Sequence, residues 1–193
     1  MSRFNKTIGS AAGENKMKPP EIIRTPRLTL RRPEIPDAEA IFKTYAQDRD
    51  VTQFLPWRPH RNIEETRACV QSRVDAWQEG TDFTWAIILS DGRLIGGISI
   101  RVREFTADVG YVIARQYWGK GYGTEALRAL IEWVMQQPGL FRVWAVCDVE
   151  NIASARVMEK VGMKREGILR RWVMHPQVSD TPRDCLCYSL VKD

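Results

Sequence analysis

The chain opens on a polar stretch, residues 1–20, and then alternates short apolar runs with helical repeats. In EIIRTPRLTLRRP, Leu28 and Leu30 take alternate positions ahead of Pro33, the pattern of a half-exposed strand. In IPDAEAIFKTYAQD, Ala38, Ile41, Phe42 and Tyr45 recur at helical spacing behind the start signals Pro36 and Asp37. A proline-rich loop, FLPWRPHRN, precedes a second helix carried by Ile63, Cys69, Val70, Val74 and Trp77 and stopped at Gly80. Three strands follow, FTWAIIL, LIGGISIRV and ADVGYVIA, and the turn residues SDGR join the first two as a hairpin.

Leu127, Leu130, Ile131 and Val134 then fall at i, i+3, i+4 and i+7, an amphipathic helix that ends near QQPG. FRVWAVCDV is the next strand, and Asn151 caps a helix running to Val161 with Gly162 just beyond it. The tail MKREGILRRWVMHPQVSDTPRDCLCYSLV gives two strands around a long polar loop, in which His175 reads as a solvated histidine. The helix between ADVGYVIA and FRVWAVCDV is a crossover, so those two strands run parallel while their neighbours run antiparallel. The expectation is one mixed α/β domain over residues 21–193, with a mostly antiparallel central sheet of about seven strands and helices on both faces.

Composition narrows the class. A chain of 193 residues, 44% hydrophobic, suits one core. The net charge of +5 is spread along the chain rather than gathered into the basic arm expected for direct nucleic-acid binding. No apolar run approaches the roughly 18 residues that cross a bilayer. Residues 1–20 lack the apolar centre of a signal peptide and read as a flexible leader. Cys69, Cys147, Cys185 and Cys187 have no metal-type spacing, and such sparse usage suits a reducing cytoplasm.

The chemistry gathers in RQYWGKGYGTEAL, residues 115–127, which stands where a strand ends and a helix begins. A helix start offers unpaired N–H groups and the positive end of the helix dipole. Gly119, Gly121 and Gly123 remove the side chains that would keep a phosphate away from them. Thr124 breaks the G-x-G-x-x-G dinucleotide pattern, and Ala114 with Gly121 breaks the P-loop. Arg115, Lys120 and Arg156 lie near this loop and read as solvated charges.

Gln116-Tyr117-Trp118-Gly119-Lys120-Gly121 fits Q/R-x-x-G-x-G/A, which resembles the acyl-CoA pyrophosphate loop of the GCN5-related N-acetyltransferases, the GNAT superfamily. NIASARVMEKVGMKREG, IRTPRLTLRRP and FLPWRP resemble, in order, further blocks of its RimJ/RimL-type ribosomal-protein N-terminal acetyltransferase branch. The resemblance covers about residues 22–190.

It implies acetyl-CoA as co-substrate, no metal, and direct attack of a primary amine on the thioester. That amine belongs to a protein N-terminus or a small molecule, and a homodimer is common among relatives. It also implies a sheet splayed between the two parallel strands, with pantetheine along Val112 and Ile113 and the Ile113 amide aimed at the oxyanion. Gln116, Trp118, Gly119, Lys120, Gly121, Tyr122, Gly123, Thr124, Asn151 and Ser154 complete the expected cofactor site. Met158 stands where many relatives carry an acidic tyrosine, which leaves Ser154 or a water to protonate the thiolate. Asp108 matches the base of several relatives, with Glu104 as the second candidate, and Trp57, Arg58 and His60 fall in the acceptor loop. A CoA-binding sensor with little turnover is the alternative.

Overall fold

The structure, a computed structural model, describes residues 18–80 and 82–192, so the expected leader lies outside the described residues as far as residue 17. Its strands are β1 (Ile22–Arg24), β2 (Leu28–Arg31), β3 (Asp82–Leu89), β4 (Leu94–Arg103), β5 (Thr106–Ile113), β6 (Arg142–Asp148), β7 (Lys164–Val173) and β8 (Arg183–Val191). They form one sheet in the order β1-β2-β3-β4-β5-β6-β8-β7, eight strands rather than seven. The extra strand comes from Pro26. A proline has no N–H for a ladder, so the opening segment folds back at residues 25–27, where the Thr25 amide donates to the Leu28 carbonyl at 2.9 Å.

The helices are α1 (Asp37–Ile41), which runs on as a π-helical turn over Phe42–Ala46, then α2 (Arg49–Thr52), α3 (Ile63–Glu79), α4 (Tyr122–Met135) and α5 (Ile152–Lys160). The sequence pattern did not foretell α2, because four residues carry too little periodicity; Asp48 caps it by accepting from the Asp50 amide. Gly80 and Gly162 take left-handed conformations past α3 and α5, as their places in the sequence suggest. On α4, Leu127, Leu130, Ile131 and Val134 are all buried, each adding roughly 1.5–3 kcal/mol by transfer from water. Among the described residues no helix is long and apolar enough to cross a membrane.

Every strand pair is antiparallel except β5–β6, which α4 connects. That parallel ladder is short: Thr106 pairs with Arg142, Ala107 with Val143 and Asp108 with Trp144. Beyond Asp108 the two strands part, and β6 turns its full length to β8. A bulge in β4 opposite Ile87 and Ile88 bends the sheet beside this opening. Gly96 is required there, since a Cβ would stand 2.1 Å from the Val112 carbonyl oxygen.

Candidate active site

The opening between β5 and β6 exposes backbone that nothing in the sheet uses. The Ala114 amide donates to the Ile95 carbonyl on β4 at 2.8 Å. Strand alternation then turns the N–H and carbonyl of Ile113 the other way, into the opening. The Trp118 indole N–H confirms the direction by donating to the Ile113 carbonyl at 2.6 Å. An extended amide-bearing chain laid along β5 would find the same edge, which no neighbouring strand pairs and where the Trp118 indole holds the Ile113 carbonyl.

Beside this edge stands the start of α4, which differs from those of α3 and α5. Asn62 caps α3 by accepting from Glu65, and Asn151 caps α5 by accepting from Ser154 at 3.1 Å, but no side chain caps α4. Its cap position is Gly121, at φ +79, behind Gly119 at φ +73. Both need the left-handed conformation that glycine adopts freely. Gly123 carries no such need: a Cβ there would lie 3.5 Å from Ile113, an ordinary packing distance. First-turn amides without a side-chain cap, fronted by glycine, suit a phosphate group.

Arg27 fixes the loop from the β1–β2 turn. Its guanidinium donates to the Lys120 carbonyl at 3.0 Å and to Glu125 at 2.6 Å, and lies 4.7 Å from the Tyr122 ring centre. Burial pushes the Glu125 carboxyl up, but bonds from Thr25 and Arg27 outweigh it and hold the pKa below its ordinary value.

Across the opening, the Tyr111 and Ser154 hydroxyls meet at 2.9 Å, and the Tyr111 O–H also reaches the Ser154 carbonyl at 3.1 Å. Burial raises the Tyr111 pKa and pushes the Cys147 thiol up to about 12, so both keep their protons at neutral pH. Met158 is fully buried in the core.

A cavity of about 490 Å³ joins the opening to the space under α1 and α3. Its floor carries Thr84, Ser99, Gly110 and Asp108, small or polar residues where strands β3 to β5 cross, and Arg73 overlooks it from α3. Asp108 stands where the β5–β6 ladder ends, ion-paired with Arg101 at 2.7 Å. Asp82, paired with Arg73 at 3.3 Å, has its pKa raised by burial.

Residues 27–164 match the family model of the acetyltransferase (GNAT) domain. The chain belongs to the GNAT acetyltransferase family. It is 32% identical over 175 residues to the uncharacterized N-acetyltransferase YoaA of Bacillus subtilis (strain 168), covering 89% of this chain and 97% of the relative. It is 35% identical over 123 residues to the ribosomal-protein-serine acetyltransferase of Escherichia coli (strain K12), covering 62% of this chain and 68% of the relative. Among solved structures, a GNAT-family acetyltransferase from Bacillus anthracis superposes with a TM-score of 0.77 at 31% identity, covering 88% of this chain and 98% of that one. RimL in complex with coenzyme A shares the fold, with a TM-score of 0.80 at 23% identity over 90% of this chain and 99% of that one. The protein is an acetyl-CoA-dependent N-acetyltransferase of this family.

Within this GNAT domain the expected residues fall into groups. Val112, Ile113, Gln116, Trp118, Gly119, Lys120, Gly121, Tyr122, Gly123 and Thr124 form a continuous run from the unpaired β5 edge to the start of α4. Asn151 and Ser154 face it from α5, and both line the cavity together with Asp108, Trp57 and His60. Trp57 and His60 stack with ring centres 4.9 Å apart, and the His60 Nδ1 lies 2.7 Å from the Thr66 hydroxyl.

Two expectations change, those for Glu104 and His175. Glu104 sits exposed in the tight turn between Arg103 and Thr106 at φ +50, before β5 begins, and it does not line the cavity. Arg115 is exposed, as expected of a solvated charge, and it pairs with Asp48 at 3.0 Å and Asp50 at 3.1 Å. His175 is buried at 4% exposure, with its Nε2 3.7 Å from the fully buried Asp148 and its ring edge-on to Phe54. The loop between β7 and β8 folds inward because Gln177 donates to the Thr52 hydroxyl at 2.5 Å. Arg58 stands outside the main cavity, in a surface recess described below.

Sequence reasoning did not single out Tyr111, Arg101 or Asp148. Tyr111 was legible in principle, because it shares a strand face with Ile113 and Val109, but only the three-dimensional meeting with Ser154 marks it.

Proposed function

We propose that this enzyme acetylates a primary amine, with a protein N-terminal α-amine as the favoured acceptor and a small-molecule amine as the other. The observation that carries the reading is the uncapped glycine start of α4 beside the unpaired edge of β5. Gln116, Gly119 and Gly121 with the first-turn amides of α4 receive the pyrophosphate, and backbone near Val112 and Ile113 pairs with pantetheine. The Ile113 N–H meets the oxygen on which charge develops, a contribution of about 3–4 kcal/mol for a preorganised donor. Ser154, hydrogen-bonded to Tyr111, gives its proton to the departing thiolate.

Asp108 takes the amine proton through a water, at the apex where β5 and β6 part. A weak base of this kind suffices for an α-amine, about a tenth of which is neutral at pH 7 when its pKa is near 8, whereas a lysine near 10.4 is neutral at about one part in thousands. The name of the Escherichia coli relative, a ribosomal-protein-serine acetyltransferase, supports a protein acceptor. Incubation with acetyl-CoA and peptides of free or blocked N-terminus, read by mass spectrometry, tests this. One acetyl group on the free α-amine alone is expected; modification of lysine side chains alone would overturn the preference.

A further inference from the structure

A second recess opens on the surface beside the acceptor cavity, and His60 lines both. It lies between α2, the loop before α3 and the β7–β8 loop, and it is lined by Arg49, Arg58, Arg61, Glu65 and Gln177 among others. Glu65 is its sole acid and is engaged by Arg61 at 3.1 Å. The arginines that line the acceptor cavity are neutralised, Arg73 by Asp82 and Arg101 by Asp108, and Arg115 outside it pairs with Asp48 and Asp50. Arg49 and Arg58 form no ion pair among the described residues, so the entrance is left with two uncompensated guanidinium groups.

We propose that this recess is an anion-binding subsite for the acceptor, which enters amine first and carries a carboxylate or phosphate a few bonds behind the reacting nitrogen. Arginine suits the task, because its planar fork stays charged and binds carboxylate or phosphate in two places at once. The subsite continues the acceptor path through His60, so an acceptor longer than one residue places its trailing groups here. Of the sources of such chemistry, we commit to the N-terminus of an acidic peptide, which is long enough to occupy the cavity and the recess joined at His60.

This inference rests on the reading of the enzyme as an amine acetyltransferase, so its test reads binding separately from turnover. Calorimetry on the CoA-loaded protein compares serine-initiated peptides continuing with two glutamates, two alanines or two lysines, with phosphoethanolamine as the small anionic amine. The glutamate peptide is expected to bind roughly three- to tenfold more tightly than the alanine peptide, as two exposed charge pairs allow. That preference should vanish in Arg49→Gln/Arg58→Gln and shrink in high salt. Phosphoethanolamine binding that also falls in the double variant would assign the subsite to small anionic amines. Equal binding of all three peptides, or a preference untouched by the double variant, would overturn the subsite. Binding of the glutamate peptide without acetylation would instead contradict the acetyltransferase reading and leave the subsite standing.

Discussion

The hydroxyl of Tyr111 on β5 lies 2.9 Å from the hydroxyl of Ser154 on α5, bridging the two sides of the opening in the sheet. The two half-buried groups support each other, since a hydroxyl turned from water and stripped of its partner is costly and the pair forms a short path for a proton. Ser154→Ala is expected to lower kcat about tenfold to a hundredfold while CoA affinity holds, the pattern of a group used as the thiolate leaves. Tyr111→Phe should move kcat in the same direction by less. Steady-state kinetics with a saturating amine reads both, and unchanged kcat in Ser154→Ala removes the serine from the chemistry.

The glycine loop gives a prediction about binding alone. Gly121→Asp sets a carboxylate against the pyrophosphate site and is expected to abolish CoA binding in calorimetry while the domain stays folded. Gly121→Ala controls for the backbone: the left-handed φ of +79 costs a Cβ-bearing residue about 1–2 kcal/mol of stability without adding charge. CoA affinity unaltered in a folded Gly121→Asp protein would contradict the loop's role.

A second glycine is needed for shape. With its virtual Cβ 2.1 Å from the Val112 carbonyl oxygen, Gly96→Ala must push β4 from β5. Overpacking of this kind costs about 1–3 kcal/mol, which lowers Tm by about 2–4 °C per kcal/mol in a domain of this size. Differential scanning calorimetry checks it, and Gly110→Ala, whose nearest neighbour would be the Ser99 hydroxyl at 3.8 Å, should fall far less.

The buried His175 predicts a pH dependence. Burial lowers its pKa against the pull of Asp148, with Arg183 on β8 opposing protonation as well. The folded state therefore takes up this proton less readily than the unfolded chain, which binds more protons below the ordinary value of 6.5. Stability is full above pH 6.5 and falls as pH drops below it. His175→Gln should flatten this part of the urea-midpoint profile, leaving the share due to His60, whose pKa burial also lowers. The further loss at carboxylate pH remains, because Asp148 is driven up by burial yet held below its ordinary value by Arg183. An unchanged slope between pH 7 and 5 in His175→Gln would contradict the assignment.

What was legible in the sequence follows physical range. The apolar stripe on α4 and the glycine stop after α3 are local periodicities and backbone needs, and the structure places them as expected. The break at Pro26 and the short α2 were missed because each depends on one or two hydrogen bonds rather than a repeat. The loop motif was found at the junction of β5 and α4 that the sequence pattern predicts, since a helix start is built from contiguous chain. Glu104 and His175 failed for the opposite reason. Whether a polar residue meets a cavity or solvent depends on turns and loop anchors, here the Arg103–Thr106 turn and the Gln177–Thr52 bond, that composition does not record.

The most direct test of the account is amine-dependent thiol release. Purified enzyme is mixed with acetyl-CoA, and free CoA thiol is followed as a peptide with a free N-terminus is titrated in. The account predicts release that saturates with peptide, is absent when the N-terminus is blocked, and is lost in Gly121→Asp. CoA binding with no thiol release above background on any peptide or small amine would contradict it.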